Sequence, residues 1–275
     1  MEKNLISKKI AGLINDLKNT KNRKELNLTF SEGINILESS IENNVDIKYL
    51  VIDKNKIEQF SQFFEKIDNS RIYLADEQII KKLSSTKTSY SCITVFSIPD
   101  IIEEVKDIKL FNNIFDYLKI KSYITGLFQI SDPGNLGTII RSSIGFNQDE
   151  LIIFAPFCDI FSPKVIRSTS GAIFNLKKVY TIYADSYQLF FENIKKFDVK
   201  IVISEKDKTL NKQMDKNDFP SIIIFGNEGR GFTSDFKKFC DFSLSIPQSD
   251  KIDSLNLSVS HGIVLYILNK LICEK

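Results

Sequence analysis

Histidine is almost absent from this chain of 275 residues: His261 is the single copy. Cysteine is scarce and scattered. Cys92, Cys158, Cys240 and Cys273 lie far apart, and none belongs to a C-x-x-C pair. One imidazole and four isolated thiols do not make a zinc site or a disulfide framework, so reduced core or surface thiols are expected and no metal is. There is also no run of about 18 uncharged apolar residues, which excludes a transmembrane helix of the usual kind. Lys8, Lys9, Asp16 and Lys18 break up the N-terminal segment where a secretory leader needs an unbroken apolar stretch, so a cytoplasmic protein is expected. Low-complexity tracts and internal repeats are missing too.

Arginine is rare where lysine is not. Of 37 basic residues only Arg23, Arg71, Arg141, Arg167 and Arg230 are arginine. An arginine kept against such a bias suits tasks that lysine cannot perform, namely planar, bidentate, permanently charged recognition. Glycine is sparse in the first half and concentrated in the second: nine of eleven fall after residue 125. Tight turns, and with them ligand loops, are therefore expected in the second half. The net charge of +2 does not advertise a polyanion binder, but residues 1–24 carry seven basic side chains against Glu2 and Asp16. That local excess suits either a solvated helix face or RNA.

What is present reads as alternating helices and strands. Helices are expected over 4–19, 34–43, 56–67, 76–83 and 100–107, and strands over 48–52, 71–74 and 91–97. The stretch 108–119 is ambiguous and holds the expected domain boundary, giving domains 1–112 and 113–275. In the second half strands are expected at 122–128, 150–154, 177–181, 200–203 and 221–225, with helices at 135–145, 163–170 and 257–272. Such alternation argues for an α/β fold with a mainly parallel sheet and ligand loops at the carboxyl ends of its strands.

Three loops carry the chemistry. The first, DPGNLGTIIRSS at 132–143, turns a strand into a helix that bears Asn135 and Arg141. Their six-residue spacing is expected to place both on nearly one side, with helix N–H groups and a guanidinium available to an anion. The second, FGNEGRGF at 225–232, follows an apolar strand and sets Glu228 among glycines that let a ligand approach the backbone. Its GxxGxG spacing is not the dinucleotide fingerprint, and no Walker lysine follows the first loop. The third, IPQSDKIDSLNLSVSHGI at 246–263, ends a short strand at Pro247 and opens a helix near Asn256. Ser254, Asn256 and Ser258 are helix-cap residues on their own chemistry. His261, inside an apolar helix, reads as structural.

Together these loops resemble those of the SpoU-type (TrmH-like) RNA 2′-O-ribose methyltransferases of the SPOUT class. SPKVIRSTSGAIF at 162–174 supports the likeness, and NRKELNLTFSEG at 22–33 resembles, more loosely, the substrate-binding domain that often precedes such enzymes. The resemblance implies a parallel-sheet SPOUT domain with a C-terminal trefoil knot, a small ribosomal-protein-like α/β RNA-binding domain ahead of it, and a cytoplasmic homodimer. It implies S-adenosyl-L-methionine as cofactor, held at Gly226, Ile246 and Leu255, and catalytic positions at Asn135, Arg141, Glu228 and Asn256. Ribosomal RNA is favoured over transfer RNA as partner, with Arg23, Lys24, Arg141 and Arg167 as RNA contacts. Gln248 stands where methionine is usual, Asp250 where a small residue is common, and Ser260 and His261 where alanine-like residues are. A non-catalytic RNA-binding assembly factor and a nucleotide-phosphate-binding α/β enzyme are the competing readings.

Overall fold

The computed structural model describes residues 4–86, 90–106, 108–205 and 213–273. Met1, Glu2 and Lys3, part of the basic N-terminal segment, lie outside them. In chain order the first elements are β1 Asn4–Leu5, α1 Lys8–Asp16, α2 Thr20–Leu26, β2 Leu28–Glu32, α3 Ile34–Glu42, β3 Ile47–Asp53, β4 Ile72–Ala75, α4 Glu77–Leu83 and β5 Cys92–Ser97. Then come β6 Ile102–Glu104, α5 Ile108–Lys121, β7 Tyr123–Phe128, α6 Pro133–Gly145, β8 Glu150–Phe154 and α7 Pro163–Thr169. The rest are β9 Lys178–Ile182, α8 Tyr187–Lys195, β10 Lys200–Ser204, β11 Ser221–Phe225, α9 Ser234–Lys237, β12 Phe242–Leu244 and α10 Leu257–Cys273.

These elements form two compact units, and the division is not a single cut. One unit holds residues 1–100 and 159–175; the other holds 101–158 and 176–275. A boundary at 112 falls inside α5, whereas the chain changes unit at 100/101 and sends a later segment back.

The first unit has a mixed five-stranded sheet in the order β1-β4-β3-β5-β2, with β1, β4 and β3 parallel and β5 antiparallel to both its neighbours. Leu50, Val51 and Ile52 of β3 are fully buried, so both faces of this central strand are covered. One side packs Ile10, Ile14 and Leu17 with Phe30 and Ile80; the other packs Leu37 with Phe60, Phe63 and Ile72. Ser7 starts α1 by accepting a hydrogen bond from the Ile10 N–H at 3.3 Å. The segment expected as helix 56–67 is a 3₁₀ helix over Lys54–Phe63. The helix expected over 4–19 is shorter, because Asn4 and Leu5 pair with β4 as an edge strand.

The second unit is built on a seven-stranded sheet, β12-β10-β11-β7-β8-β9-β6, parallel throughout. Its strands β7, β8 and β11 are buried along nearly their whole length, as a sheet covered on both faces requires. Aromatic rings fill one face, with Phe128, Phe154, Phe190, Phe191 and Phe236 in mutual contact. The helix expected over 100–107 is instead the edge strand β6, in register with Val179, Tyr180 and Thr181 of β9. Glu103, which reads as a helix charge, meets Lys178 Nζ at 2.7 Å across that edge. Tertiary pairing has overridden local propensity. The ambiguous stretch that follows is helical, as α5.

Candidate active site

Four strands of the parallel sheet end in loops that surround one cleft of about 420 Å³. Asn135 from α6, Gly226 and Glu228 from the loop after β11, Ile246 after β12, and Leu255 and Asn256 before α10 all line it. The structure thus gathers six of the seven residues singled out for catalysis or cofactor binding from three distant stretches of sequence.

Local chemistry explains how each is held. Asp132 caps α6, its Oδ1 accepting from the Asn135 N–H at 2.7 Å, and Pro133 takes the first helical position, where no N–H is needed. Asn256 caps α10 in the same manner, its Oδ1 accepting from the Ser258 and Val259 N–H groups at 2.9 and 3.4 Å. Capping is the role its own residue type suggests, but it has a second one. Its Nδ2 donates to Asn135 Oδ1 at 3.0 Å, and Asn135 Nδ2 donates to Glu228 Oε1 at 3.1 Å. Ser131 Oγ donates to the other oxygen, Glu228 Oε2, at 3.4 Å. A single file, Asn256 to Asn135 to Glu228, therefore fixes which way the Asn135 amide faces and leaves its second N–H for a ligand.

Arg141 stands apart from that file. Six residues at 3.6 per turn rotate the helix by 600°, so Arg141 leaves α6 about 120° away from Asn135 and not from the same side. It is exposed, one to two turns further along the helix.

The cleft wall is partly apolar, with Phe232, Ile246 and Leu255, and partly acceptor-rich. Glu205 and Gln248 each carry a buried oxygen with no hydrogen-bond partner among the described residues, while the other Glu205 oxygen meets Lys237 at 2.6 Å. Gly226 is tight: a Cβ there would come within 3.0 to 3.2 Å of the Phe232 ring. Apolar walls, spare acceptors and bare backbone fit a ligand such as S-adenosylmethionine, which offers a flat adenine, an ammonium and a sulfonium.

Behind the cleft sits His261, fully buried. Its Nδ1 is 3.0 Å from Ser142 Oγ, and its Nε2 is 3.2 Å from Thr125 Oγ1 and 3.4 Å from Ser143 Oγ. Ser142 already donates to the Thr138 and Ile139 carbonyls, so it accepts from Nδ1–H, and Nε2 accepts from the threonine or Ser143 hydroxyl. Burial pushes its pKa down to about 3. It is a neutral tie between β7, α6 and α10, in keeping with the structural reading.

The proposed RNA contacts fare differently. Arg23 is buried, and its guanidinium is consumed: Nε and Nη2 bond Asp159 Oδ2 at 3.0 and 2.5 Å, Nη1 bonds the Leu17 and Lys18 carbonyls, and Nη2 also bonds Thr20. It is a structural tie, not the phosphate contact expected of it. Arg167 is mostly buried too, held by Glu32 at 3.3 Å and Ser85 Oγ at 2.6 Å. Lys24 is exposed, as are Lys8, Lys9, Lys18 and Lys21. Sequence reasoning missed Asn227, Ser131 and Glu205. Asn227 was legible as a polar side chain inside the glycine loop; Ser131 and Glu205 carried no signal of their own.

A parallel-sheet unit with a cleft at its strand ends is a common ligand-binding architecture, and comparison with known proteins makes the class specific. Residues 122–266 match the SpoU rRNA Methylase family, and residues 12–94 match the MRM3-like substrate binding domain. The chain belongs to the SpoU rRNA methylase family. It is 29% identical over 138 residues to the 23S rRNA (uridine(2479)-2'-O)-methyltransferase of Streptomyces viridochromogenes, covering 50% of this chain and 48% of that one. The chain thus spans about half the length of that relative. It is 22% identical over 249 residues to the 23S rRNA (guanosine(2553)-2'-O)-methyltransferase RlmP of Bacillus subtilis, covering 90% and 91% of the two chains. Its fold matches that of the AdoMet-bound rRNA methyltransferase from Sinorhizobium meliloti with a TM-score of 0.75 at 20% identity, covering 98% and 97% of the two chains.

Proposed function

We propose that this protein methylates a ribose 2′-hydroxyl of ribosomal RNA, using S-adenosyl-L-methionine. The observation that carries the reading is the file Asn256–Asn135–Glu228 on the rim of a cleft walled by Gly226, Ile246 and Leu255. When bound, the cofactor supplies an activated methyl group: its carbon–sulfur bond breaks as the carbon–oxygen bond to the ribose forms, and S-adenosylhomocysteine leaves. The protein's share is placement and charge. Ile246 and Leu255 would wall the adenine, and the spare acceptors on Glu205 and Gln248 would suit the cofactor's N–H donors. Asn135, oriented from both ends of its amide, directs its second N–H at the acceptor ribose.

Arg141 binds the target phosphate and stabilises the developing alkoxide. A guanidinium is not deprotonated in a protein, so it is not the base; the hydroxyl proton passes to phosphate or water. Glu228 acts as a positioning residue through Asn135. RNA is required because only RNA offers the 2′-hydroxyl. The exposed lysines of residues 8–24 support a role for the first unit in holding the substrate.

No helix among the described residues is long and apolar enough to cross a membrane, and the four cysteines are free thiols, which favours a cytoplasmic protein. Val259, Tyr266 and Ile267 of α10 are apolar and exposed, which favours a homodimer through that helix. β12 pairs at the sheet edge with β10, and the chain then returns to α6 with Asn256 bonded to Asn135, which favours a knotted C-terminal segment.

The test is transfer of labelled methyl from S-adenosylmethionine to unmodified ribosomal and transfer RNA, with Arg141→Ala as control. Label in ribosomal RNA that resists alkali at one linkage, and is lost in the variant, is the expected result. Label in transfer RNA alone would change the substrate. Cofactor binding without any label would mean the wrong substrate or assembly state, and loss of both would favour the RNA-binding scaffold.

A further inference from the structure

A second cavity, of about 510 Å³, opens beside the cleft and shares Asn227 with it. Gln129 and Ser131 after β7, Pro156 and Phe157 after β8, and Arg230 after β11 line it. Nothing in the reaction described above uses this cavity or Arg230.

Arg230 is set apart from most of the other arginines. Arg23, Arg71 and Arg167 spend their guanidinium groups on protein oxygens. The Arg230 side chain is exposed and makes no hydrogen bond or ion pair among the described residues. Its backbone, by contrast, is fixed. Asn227 Oδ1 accepts from the Gly229 and Arg230 N–H groups at 3.0 and 3.2 Å, and Asn227 Nδ2 donates to the Gln129 carbonyl at 2.8 Å. Gly231 closes the turn, its N–H bonding the Asn227 carbonyl at 3.0 Å. An unspent guanidinium on an anchored turn, at the mouth of a cavity, is a preformed anion contact.

The rest of the cavity suits what an RNA phosphate is attached to. Phe157 is half-buried and offers a ring for stacking; Gln129 and Ser131 offer polar groups. The volume lies within the ~300–1,000 Å³ of small-ligand sites. Ser131 stands on the partition, lining this cavity while its hydroxyl reaches Glu228 in the cleft.

We propose that this cavity receives the target ribonucleotide of the RNA, with Arg230 on a phosphate next to it and Phe157 against its base. The nucleotide's ribose then crosses the partition at Ser131 and presents its 2′-oxygen to Asn135. The proposal rests on the methyltransferase reading for the reaction, but the binding it requires is testable without any turnover.

Three quantities decide it, measured on the full chain and on Arg230→Ala, Arg230→Lys and Phe157→Leu: affinity for S-adenosylmethionine by calorimetry, affinity for an unmodified 23S rRNA transcript at a series of KCl concentrations, and initial rate of methyl transfer. Arg230→Ala is expected to bind the cofactor within twofold of wild type and to bind the transcript about tenfold more weakly. Its salt dependence is expected to lose about one unit of log–log slope, the signature of one phosphate contact. Arg230→Lys is expected to recover the slope but not the full affinity. Phe157→Leu is expected to weaken RNA without changing the slope.

Unchanged RNA affinity and slope in Arg230→Ala and Phe157→Leu would overturn the proposal. So would loss of cofactor binding in Arg230→Ala, which would assign the arginine to the neighbouring cleft. If the wild type binds the transcript but neither binds S-adenosylmethionine nor transfers a methyl group, the methyltransferase reading fails, and the RNA-binding arms still decide the cavity.

Discussion

The two units treat the same residue type in opposite ways. In the first, Arg23 and Arg167 turn inward and are bonded to Asp159 and Glu32. In the second, Arg141 and Arg230 stand exposed on α6 and on the loop after β11. The carboxylates follow suit: Glu32 is fully buried and meets Ser84, Ser85 and Arg167, whereas Glu228 is exposed and spends its oxygens on Asn135 and Ser131. A charge enclosed with its partners specifies how a chain packs; a charge held at a cleft rim by two neutral groups keeps its field available to a ligand. Arginine scarcity therefore marks important positions without saying which kind of importance each has.

The sharpest way to break this contrast is to remove one arginine from each side. Arg141→Ala is expected to cut methyl transfer by about 10³-fold, the order of losing one charge-stabilising group, with cofactor affinity within twofold by calorimetry. Near-normal turnover in Arg141→Lys would refute the geometric part of its role. Arg23→Ala is expected to do the reverse. It leaves Asp159 without its partner and should cost about 3 kcal/mol in urea unfolding, while leaving the salt dependence of RNA binding unchanged. A reduced salt slope in that variant would return Arg23 to the RNA surface.

Smaller effects sharpen the picture inside the second unit. Gly226→Val is expected to weaken cofactor binding at least about tenfold, because the new side chain meets the Phe232 ring on the cleft wall. His261 adds a pH signature. Its folded pKa of about 3 lies below the ordinary value of 6.5, so between those values the unfolded chain takes up a proton that the folded one refuses. Its stabilisation is complete above about pH 6.5 and is lost as pH falls toward 3, by up to about 1.4 kcal/mol per pH unit. Urea midpoints from pH 4.5 to 7.5 should flatten in His261→Gln. Smallest is Ser131→Ala, expected to slow transfer about twofold, since its bond to Glu228 is long at 3.4 Å.

Much of this was legible in the amino-acid order. Apolar runs marked most strands of the parallel sheet, and Asp132-Pro133 and Asn256 marked two helix starts. The three loops belonged together by resemblance, yet their meeting depends on Asn256 reaching Asn135 across 121 positions, which no local pattern encodes. Arg23 was misjudged for the same reason: its partner Asp159 lies 136 positions away. Residues 102–104 read as helix because their charges suit one, and they became a strand because β9 had a free edge.

The return of residues 159–175 to the first unit has a consequence for how such a protein is assembled over evolutionary time. A domain that joins its neighbour once can be traded as a cassette by recombination at one point. Here the chain passes between units at three places, after residues 100, 158 and 175, and the middle passage carries Asp159 to Arg23 and Arg167 to Glu32. A new N-terminal unit would have to arrive with a matching α7 segment already in place inside the methylase sequence. Inheritance of the two units is thereby linked, and altering exposed side chains is a shorter route to a new binding preference than exchanging the unit that bears them.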